Sequence, residues 1–489
     1  MKTKNVSGDG VIKKKLREFH RRVIMQDPFN HRAMIAVMDF AAKLFPNTSK
    51  NESAVRQKDR AAVRRGDLGA PVTHEPGLLN GRLNRNKILM GSAFFRDGRP
   101  LLPGDVEMIG QAGFDFLLLC DGGESRDAAL EECLKNDLAV ISISDGVPVG
   151  PGIRDAVKNG TIDFSGYRKH PAQVGDMGWD EPNTADFPLI AEYVRAYREA
   201  LPGQFLFNNL LPDGSMRSQL GAKSYAEYVD RWADTVDSDY ICLDHYPFYC
   251  SSLFNRIGFR IALNTYDRVA SACRRTGRDF WIYTQTQGRW FAHMYLLVTS
   301  EQIKWQVYTA LCYGARSVIQ VAFAPAWGND AYAMTDKNGN LTEQYLYAKR
   351  INAEVQKLSP VLADYRSLGV LSADAEKENR YLSHAIKKQN KRSAERGFSG
   401  ISEVRSVRSG STALAGYFQN DVGGKAILLV NCRDLFDAAA SQCITVELNG
   451  EYRVRVYQKG ELVSDDRQSV VDIRLGSCDG AFITLDETE

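Results

Sequence analysis

Apolar positions along the chain fall into three textures, and each predicts a different architecture. From about residue 87, short unbroken apolar runs alternate with amphipathic stretches. The runs are KILMGSAFF (87–95), FDFLLLC (114–120), LAVISIS (138–144), AQVGDMGW (172–179), QFLFNNLL (204–211), DYICLDHY (239–246), DFWIYTQTQ (279–287) and ARSVIQVAFA (315–324). Between them lie segments such as DFPLIAEYVRAYREAL and YAEYVDRWADTV, with apolar residues at helical spacing. Continuous apolar strands separated by helices mean a parallel sheet covered on its outer face. Eight such units over roughly 250 residues predict a (β/α)8 TIM barrel. It spans 86–362 and ends in the long helix EQYLYAKRINAEVQKLSPVL (343–362). A doubly wound sheet is the structural competitor, but no GxGxxG follows the first strand.

The remaining textures flank the barrel. Over 363–489, ALAGYFQN, KAILLVNC, CITVEL, YRVRVYQ, VVDIRL and GAFITL are evenly spaced short strands, which predict an all-β sandwich domain. Within that domain, IKKQNKRSAERGFSGISEVRSVRSGS (386–411) is basic and poor in apolar residues, and reads as a mobile loop. Residues 1–85 are polar and basic apart from one helical stretch, HRAMIAVMDFAAKLF (31–45). They predict a helical extension and a solvated connector, with the helix packing on the barrel or on another subunit.

Composition narrows the function. Of 489 residues 44% are hydrophobic and the net charge is only +2, so nothing global points to nucleic acid. The basic N-terminus has no apolar run behind it, and no stretch approaches the roughly 18 apolar residues of a membrane helix. Nine cysteines are dispersed without a CxxC pair, and Cys120, Cys242 and Cys312 sit inside apolar runs. That usage argues for free thiols in a reducing, cytoplasmic compartment. With seven histidines and no HxH or HExxH, neither a metal site nor a cofactor is expected.

In a (β/α)8 barrel the reacting groups stand at the C-terminal ends of the strands. The strand list therefore becomes a site list: Asp121 after the second, Asp145 after the third, Asp180 and Glu181 after the fourth. Asn208 and Asn209 end the fifth, Asp244, His245 and Tyr246 the sixth, Gln285 and Gln287 the seventh, and the eighth leads to Trp327. This ring of acids, amides and aromatics suits a neutral, hydroxyl-rich ligand. Phosphate chemistry would ask for Lys, Arg or a glycine cradle. A carbohydrate is the expected substrate. Each residue also has a plain reading. Glu181 could be a first-turn helix acid, Asp121 and Asp145 turn residues, His245 a structural histidine and Trp281 barrel packing. Arg289, Trp290 and His293 lie in the loop after the seventh strand and could shape the pocket or simply pack.

Five stretches taken together carry a resemblance: WDEPN, DEPN…DFPLIAEYV…FNNLLP, LDHYPF, FWIYTQTQG and KWQVYTALCYGARSVIQVAF. From about 87 to 360 the chain resembles the catalytic barrel of the clan A-type glycoside hydrolases, and within them the β-galactosidase-like families of gut bacteria. The last 80 or so residues resemble them more loosely. The resemblance implies a glycoside hydrolase, exo-acting on a β-glycosidic bond in small oligosaccharides or glycosides. It implies Glu181 as general acid/base, a nucleophilic Glu on the seventh strand, and a homo-oligomer as in other such enzymes. Two positions depart from the pattern. Asp180 stands where Asn is usual, and the seventh strand offers Gln285 and Gln287 but no Glu. Four readings follow: a Glu→Gln variant at Gln285, another carboxylate acting, an inverting reaction at wider spacing, or a disabled sugar-binding pseudoenzyme. The reading taken is a native Gln with another carboxylate acting, Asp244 first and Asp121 next. Asp180, Asp121, Asn209, His245, Tyr246, Gln287 and Trp327 are then expected to bind the sugar. A metal-dependent hydrolase on the same barrel would be sensitive to chelators and is disfavoured by the sparse histidines.

Overall fold

The structure, a computed structural model, describes residues 63–486 except 96–98, 121–123, 249–251, 292–293, 327–331 and 380–381. The expected helix 31–45 lies outside the described residues.

Eight parallel strands make one sheet: β1 Leu89–Phe95, β2 Phe116–Cys120, β3 Ala139–Ser142, β4 Gln173–Asp180, β5 Phe205–Asn209, β6 Tyr240–Asp244, β7 Asp279–Gln285 and β8 Ala315–Val321. Their order is β5-β4-β3-β2-β1-β8-β7-β6. The two ends of that order meet where Leu210 pairs with Leu243, the Leu210 N–H donating to the Cys242 carbonyl at 2.9 Å. The sheet thus closes into a barrel. Each strand is followed by a covering helix: α1 Asp105–Gln111, α2 Glu124–Lys135, α3 Pro151–Asn159, α4 Phe187–Ala200, α5 Tyr225–Thr235, α6 Ser252–Thr276, α7 Ser300–Cys312 and α8 Glu343–Leu362. No helix among the described residues is long and apolar enough to cross a membrane.

The barrel is packed, not hollow. Trp281 of β7 stacks on Tyr240 of β6, with ring centroids 4.6 Å apart, and meets Phe116 of β2 and Phe207 of β5 at 5.8 and 6.2 Å. This aromatic layer fills the barrel interior. At the opposite end, Lys87 pairs with fully buried Asp115 at 2.7 Å. Asp115 also accepts the Met90 N–H at 2.7 Å and the Gln356 amide at 2.8 Å.

The C-terminal domain holds β9 Tyr365–Ser372, β10 Asp374–Lys377, β11 Val404–Ser411, β12 Ala413–Asn420, β13 Lys425–Asn431, β14 Gln442–Gln458, β15 Glu461–Leu475 and β16 Gly480–Asp486. They form one continuous sheet in the order β9-β12-β13-β16-β14-β11-β10, with β15 on β14. CITVEL and YRVRVYQ are the two halves of the long strand β14. Its first half pairs with β11 and its second with β16, so one sheet folds over itself. Between the layers lie Ile427, Leu429, Ile444, Val446, Val454 and Ile483. Alternate residues of β12, β13 and β16, namely Leu414, Phe418, Leu428, Val430 and Phe482, join the barrel's core instead. Both faces are therefore buried, which explains the unbroken apolar run in β13.

The segment 386–411 is a correction. It is no loop: most of it belongs to helix α9, Ser383–Glu395, and to β11. The sequence shows its charge but not that charge's partner. Asp267 of α6, 1% exposed, accepts from Gln389 at 3.0 Å, Arg392 at 2.7 Å and Arg396 at 2.9 Å. A buried ion-pair network accounts for Arg392 and Arg396, while Lys387, Lys391 and Arg408 stay exposed.

Candidate active site

The mouth of the barrel is built around the end of β4. Met177 pairs with Phe207 but Asp180 pairs with Asn209, so β4 carries one extra residue there, a β-bulge. Gly178 is needed for it: a Cβ would sit 2.6 Å from Asn208 Oδ1 and 2.9 Å from Leu206 Cγ. The same Asn208 Oδ1 accepts the Trp179 N–H at 2.9 Å. Beyond the bulge, Glu181 holds φ +52°, a left-handed backbone that few non-glycine residues adopt. Its N–H donates to the Asn209 carbonyl at 2.8 Å, which fixes it to β5. Tyr228 of α5 donates its hydroxyl to the Pro182 carbonyl at 2.8 Å and clamps the turn that follows. The helix-acid reading of Glu181 falls here. Helix α4 begins at Phe187 behind its own cap, Asp186.

A cavity of about 400 Å³ opens at this point, lined by Phe95, Cys120, Met177, Asp180, Glu181, Asn209, Pro212, Asp244, His245, Tyr246 and Tyr283. That is within the roughly 300–1,000 Å³ of small-molecule sites. Three carboxylates share it, and no Lys or Arg lines it among the described residues. Asn209 bridges two of them, its amide nitrogen donating to Asp180 at 3.0 Å and to Asp244 at 3.1 Å. Those two oxygens can be no farther apart than the two bonds laid end to end. Two acceptors on one nitrogen also fix the amide's orientation. Its Oδ1 is buried and has no hydrogen-bond partner among the described residues.

The electrostatics follow from this crowding. Burial and the neighbouring charge of Asp180 push Glu181 up to about 7. Burial, then Glu181 and Asp180, push Asp244 up to about 8, with Asn209 pulling the other way. Asp180 is raised by burial against the same Asn209 bond. Three acids crowded into one site thus each favour their protonated form more than a free carboxyl does. Among the described residues the Glu181 carboxyl accepts no hydrogen bond, whereas Asn209 donates to both other acids.

Of the residues expected from sequence, the cavity brings together Asp180, Glu181, Asn209, Asp244, His245 and Tyr246. His245 is 5% exposed and its Nε2 meets the Gly258 carbonyl at 3.0 Å, so it also anchors the loop after β6. Trp281 is packing, as its plain reading held. Gln285 and Gln287 are placed differently from expectation. Both are 2% exposed, outside the cavity lining, and their amides pair with backbone groups. Asp121, Trp327 and His293 lie outside the described residues. Tyr283 and Phe95 were missed. Tyr283 had a signal: two positions after Trp281, it shares that residue's inward face. No group of metal-ligating side chains occurs among the described residues.

No family model matches the chain, and no curated protein matches it. Solved structures do. A GH42 β-galactosidase from G. stearothermophilus is 9% identical with a TM-score of 0.52, over 82% of this chain and 98% of that one. A second structure of a GH42 β-galactosidase gives 8% and 0.52 over the same shares. The β-galactosidase of the psychrophilic Marinomonas ef1 is 12% identical with a TM-score of 0.44, and the match spans 62% of this chain and 65% of that one, under two thirds of its length. At such identity the likeness shows the fold alone: a (β/α)8 barrel with a β domain behind it.

Proposed function

We propose that the protein is a glycoside hydrolase that removes a terminal β-linked sugar, β-galactoside-like, from small oligosaccharides or glycosides. One observation carries the reading: three carboxylates, Asp180, Glu181 and Asp244, line one cavity at the C-terminal mouth of the barrel, where burial raises all three. Glycoside hydrolysis needs one protonated and one ionised carboxyl on opposite sides of the anomeric carbon. Asn209 donates to Asp180 and Asp244, and donors favour the ionised form. We assign the shared proton to Glu181, the one acid of the three that Asn209 does not reach, against the burial that raises Asp244 further. Glu181 protonates the glycosidic oxygen and later takes a proton from water. Asp244, ionised, supplies the second carboxylate. Asp180 and Asn209 bind sugar hydroxyls, and Tyr246 and Tyr283 offer faces to its C–H surface. The cavity needs no cofactor for this chemistry. The free thiols of the eight described cysteines fit a reducing, cytoplasmic compartment.

The test is sugar release from a panel of aryl β-glycosides, β-galactoside included. The protein is expected to turn over the β-galactoside, and Glu181→Gln and Asp244→Asn each to lose about a hundredfold or more. Turnover that survives both substitutions would overturn the assignment. Absence of any turnover, with sugar binding retained, would favour the second reading, a disabled sugar-binding protein, which the amides at the end of β7 recommend.

A further inference from the structure

Three glutamine side chains at the end of β7 repeat one pattern. Gln285 accepts the Phe248 N–H at 3.1 Å and donates to the Phe248 carbonyl at 3.4 Å. Gln287 accepts the Ala326 N–H at 2.9 Å and donates to the Ala326 carbonyl at 3.4 Å. Gln306 of α7 does the same to Gln285's own backbone, accepting at 2.7 Å and donating at 2.9 Å. In each case an amide faces the backbone of one residue and pairs with both its N–H and its carbonyl. Only a side chain with a donor and an acceptor on one carbon can do this. A carboxylate at 285 would keep the Phe248 N–H and set a negative charge against the Phe248 carbonyl.

The fastened points matter for the cavity. Phe248 is the last residue described before 249–251 in the loop that follows Asp244, which also contains His245 and Tyr246. Its ring is wedged between Phe259 and Trp305, with centroids 5.3 and 5.9 Å away. Ala326 ends the described part of the loop after β8. We propose that Gln285 is a positioning residue, whose amide fastens the loop after β6 and so holds Asp244, His245 and Tyr246 about the cavity, and that Gln287 fastens the start of the loop after β8 in the same way. They stand at the end of β7 as fasteners, not as vestiges of a lost nucleophile. The role in activity rests on the proposed function; the fastening does not.

The decisive variant is Gln285→Glu, because the two interpretations give it opposite pH dependence. A protonated Glu can still donate to the Phe248 carbonyl and accept its N–H; an ionised Glu cannot donate. As a fastener, the variant approaches wild-type activity on the cleaved glycoside at acid pH. Its kcat/KM relative to wild type then falls as pH rises, by about a hundredfold at pH 8, the scale of a small misplacement of reacting groups. Hydrogen exchange over 244–248, read by mass spectrometry and corrected for intrinsic rate, accelerates in the variant at pH 8 and returns towards wild type at pH 5. As a restored nucleophile, the variant would instead gain on wild type as pH rises, and that result overturns the proposal. Unchanged exchange with a flat activity ratio overturns it as well. If Gln285→Glu does not fold, Gln287→Glu puts the same question to the segment ending at Ala326. If no glycoside is cleaved by wild type, the proposed function fails while the exchange measurement still decides the fastening.

Discussion

At the scale of single residues, the cavity is governed by one amide and three acids. Asp180 raises Glu181 by like charge, and Asn209 favours charge on Asp180 and Asp244 but not on Glu181. The sign of a substitution can be worked out. As the proposed acid, Glu181 acts protonated, so kcat/KM is expected to fall as pH rises past its pKa, which burial and Asp180 push up to about 7. Asp180→Asn removes a neighbouring negative charge and keeps an acceptor for Asn209. The Glu181 proton is then lost at lower pH, and the alkaline limb of the pH–kcat/KM profile is expected to move to lower pH. A limb that stays in place, measured on the same aryl glycoside, would show that Asp180 does not tune the acid. Glu181, Asp180 and Asp244 were legible from sequence because barrel strands present their last residues at one mouth. The bridging by Asn209 was not, since it joins β4, β5 and β6 through one side chain, and spacing along the chain carries no trace of it.

At the scale of elements, β4 shows where pattern reading stops. Eight apolar runs mark the barrel strands because both faces of each are buried, and a run buried on both sides needs no alternation. A one-residue bulge has no comparable signature. Gly178 is its sequence mark, and that mark acquires meaning only beside Asn208 and Leu206. Gly178→Ala is expected to cost about 1–3 kcal/mol through overpacking. It should also lower activity well beyond what the stability loss explains. Urea unfolding and kcat measured on the same preparation check this; an alanine variant with wild-type stability and turnover would mean the bulge tolerates a Cβ. Helix α9 illustrates the opposite failure. Its segment reads as solvated because Asp267, which pairs with Arg392 and Arg396, lies more than a hundred positions earlier in the chain. Gln285 and Gln287 misled for the same reason, their partners being Phe248 and Ala326 on separate loops.

At the scale of the molecule, barrel and β domain share one core. Helix α7 lies between them. A Cβ on Gly416 would meet the Cys312 carbonyl oxygen at 2.2 Å, and one on Gly480 the Tyr308 ring at 2.3 Å. Lys304 of the same helix pairs with Asp479 beside β16. Phe418, Leu428 and Phe482 continue the barrel's core on that side. Gly416→Ala, at the junction, is therefore expected to destabilise both parts together by about 1–3 kcal/mol. Melting followed by far-ultraviolet circular dichroism and by tryptophan fluorescence should give one midpoint, lowered equally in both signals. The described tryptophans belong to the barrel, so separate midpoints would show that the two parts unfold independently.

The extra residue in β4 also bears on transplantation. A strand places successive side chains on opposite faces, so Asp180 and Glu181 owe their direction to the count of residues before them as much as to their identity. Anyone grafting this acid pair onto another (β/α)8 scaffold must carry Gly178 and Trp179 with it, together with the asparagine on the next strand that receives the shifted backbone. Substituting Asp-Glu alone into a regular strand would reproduce the letters and turn the carboxylates elsewhere. By the same reasoning, a deletion of one residue between Met177 and Asp180 would be felt more strongly than most point changes at the mouth. Homologues that share this chemistry should vary in the identity of neighbouring residues sooner than in the length of this short stretch.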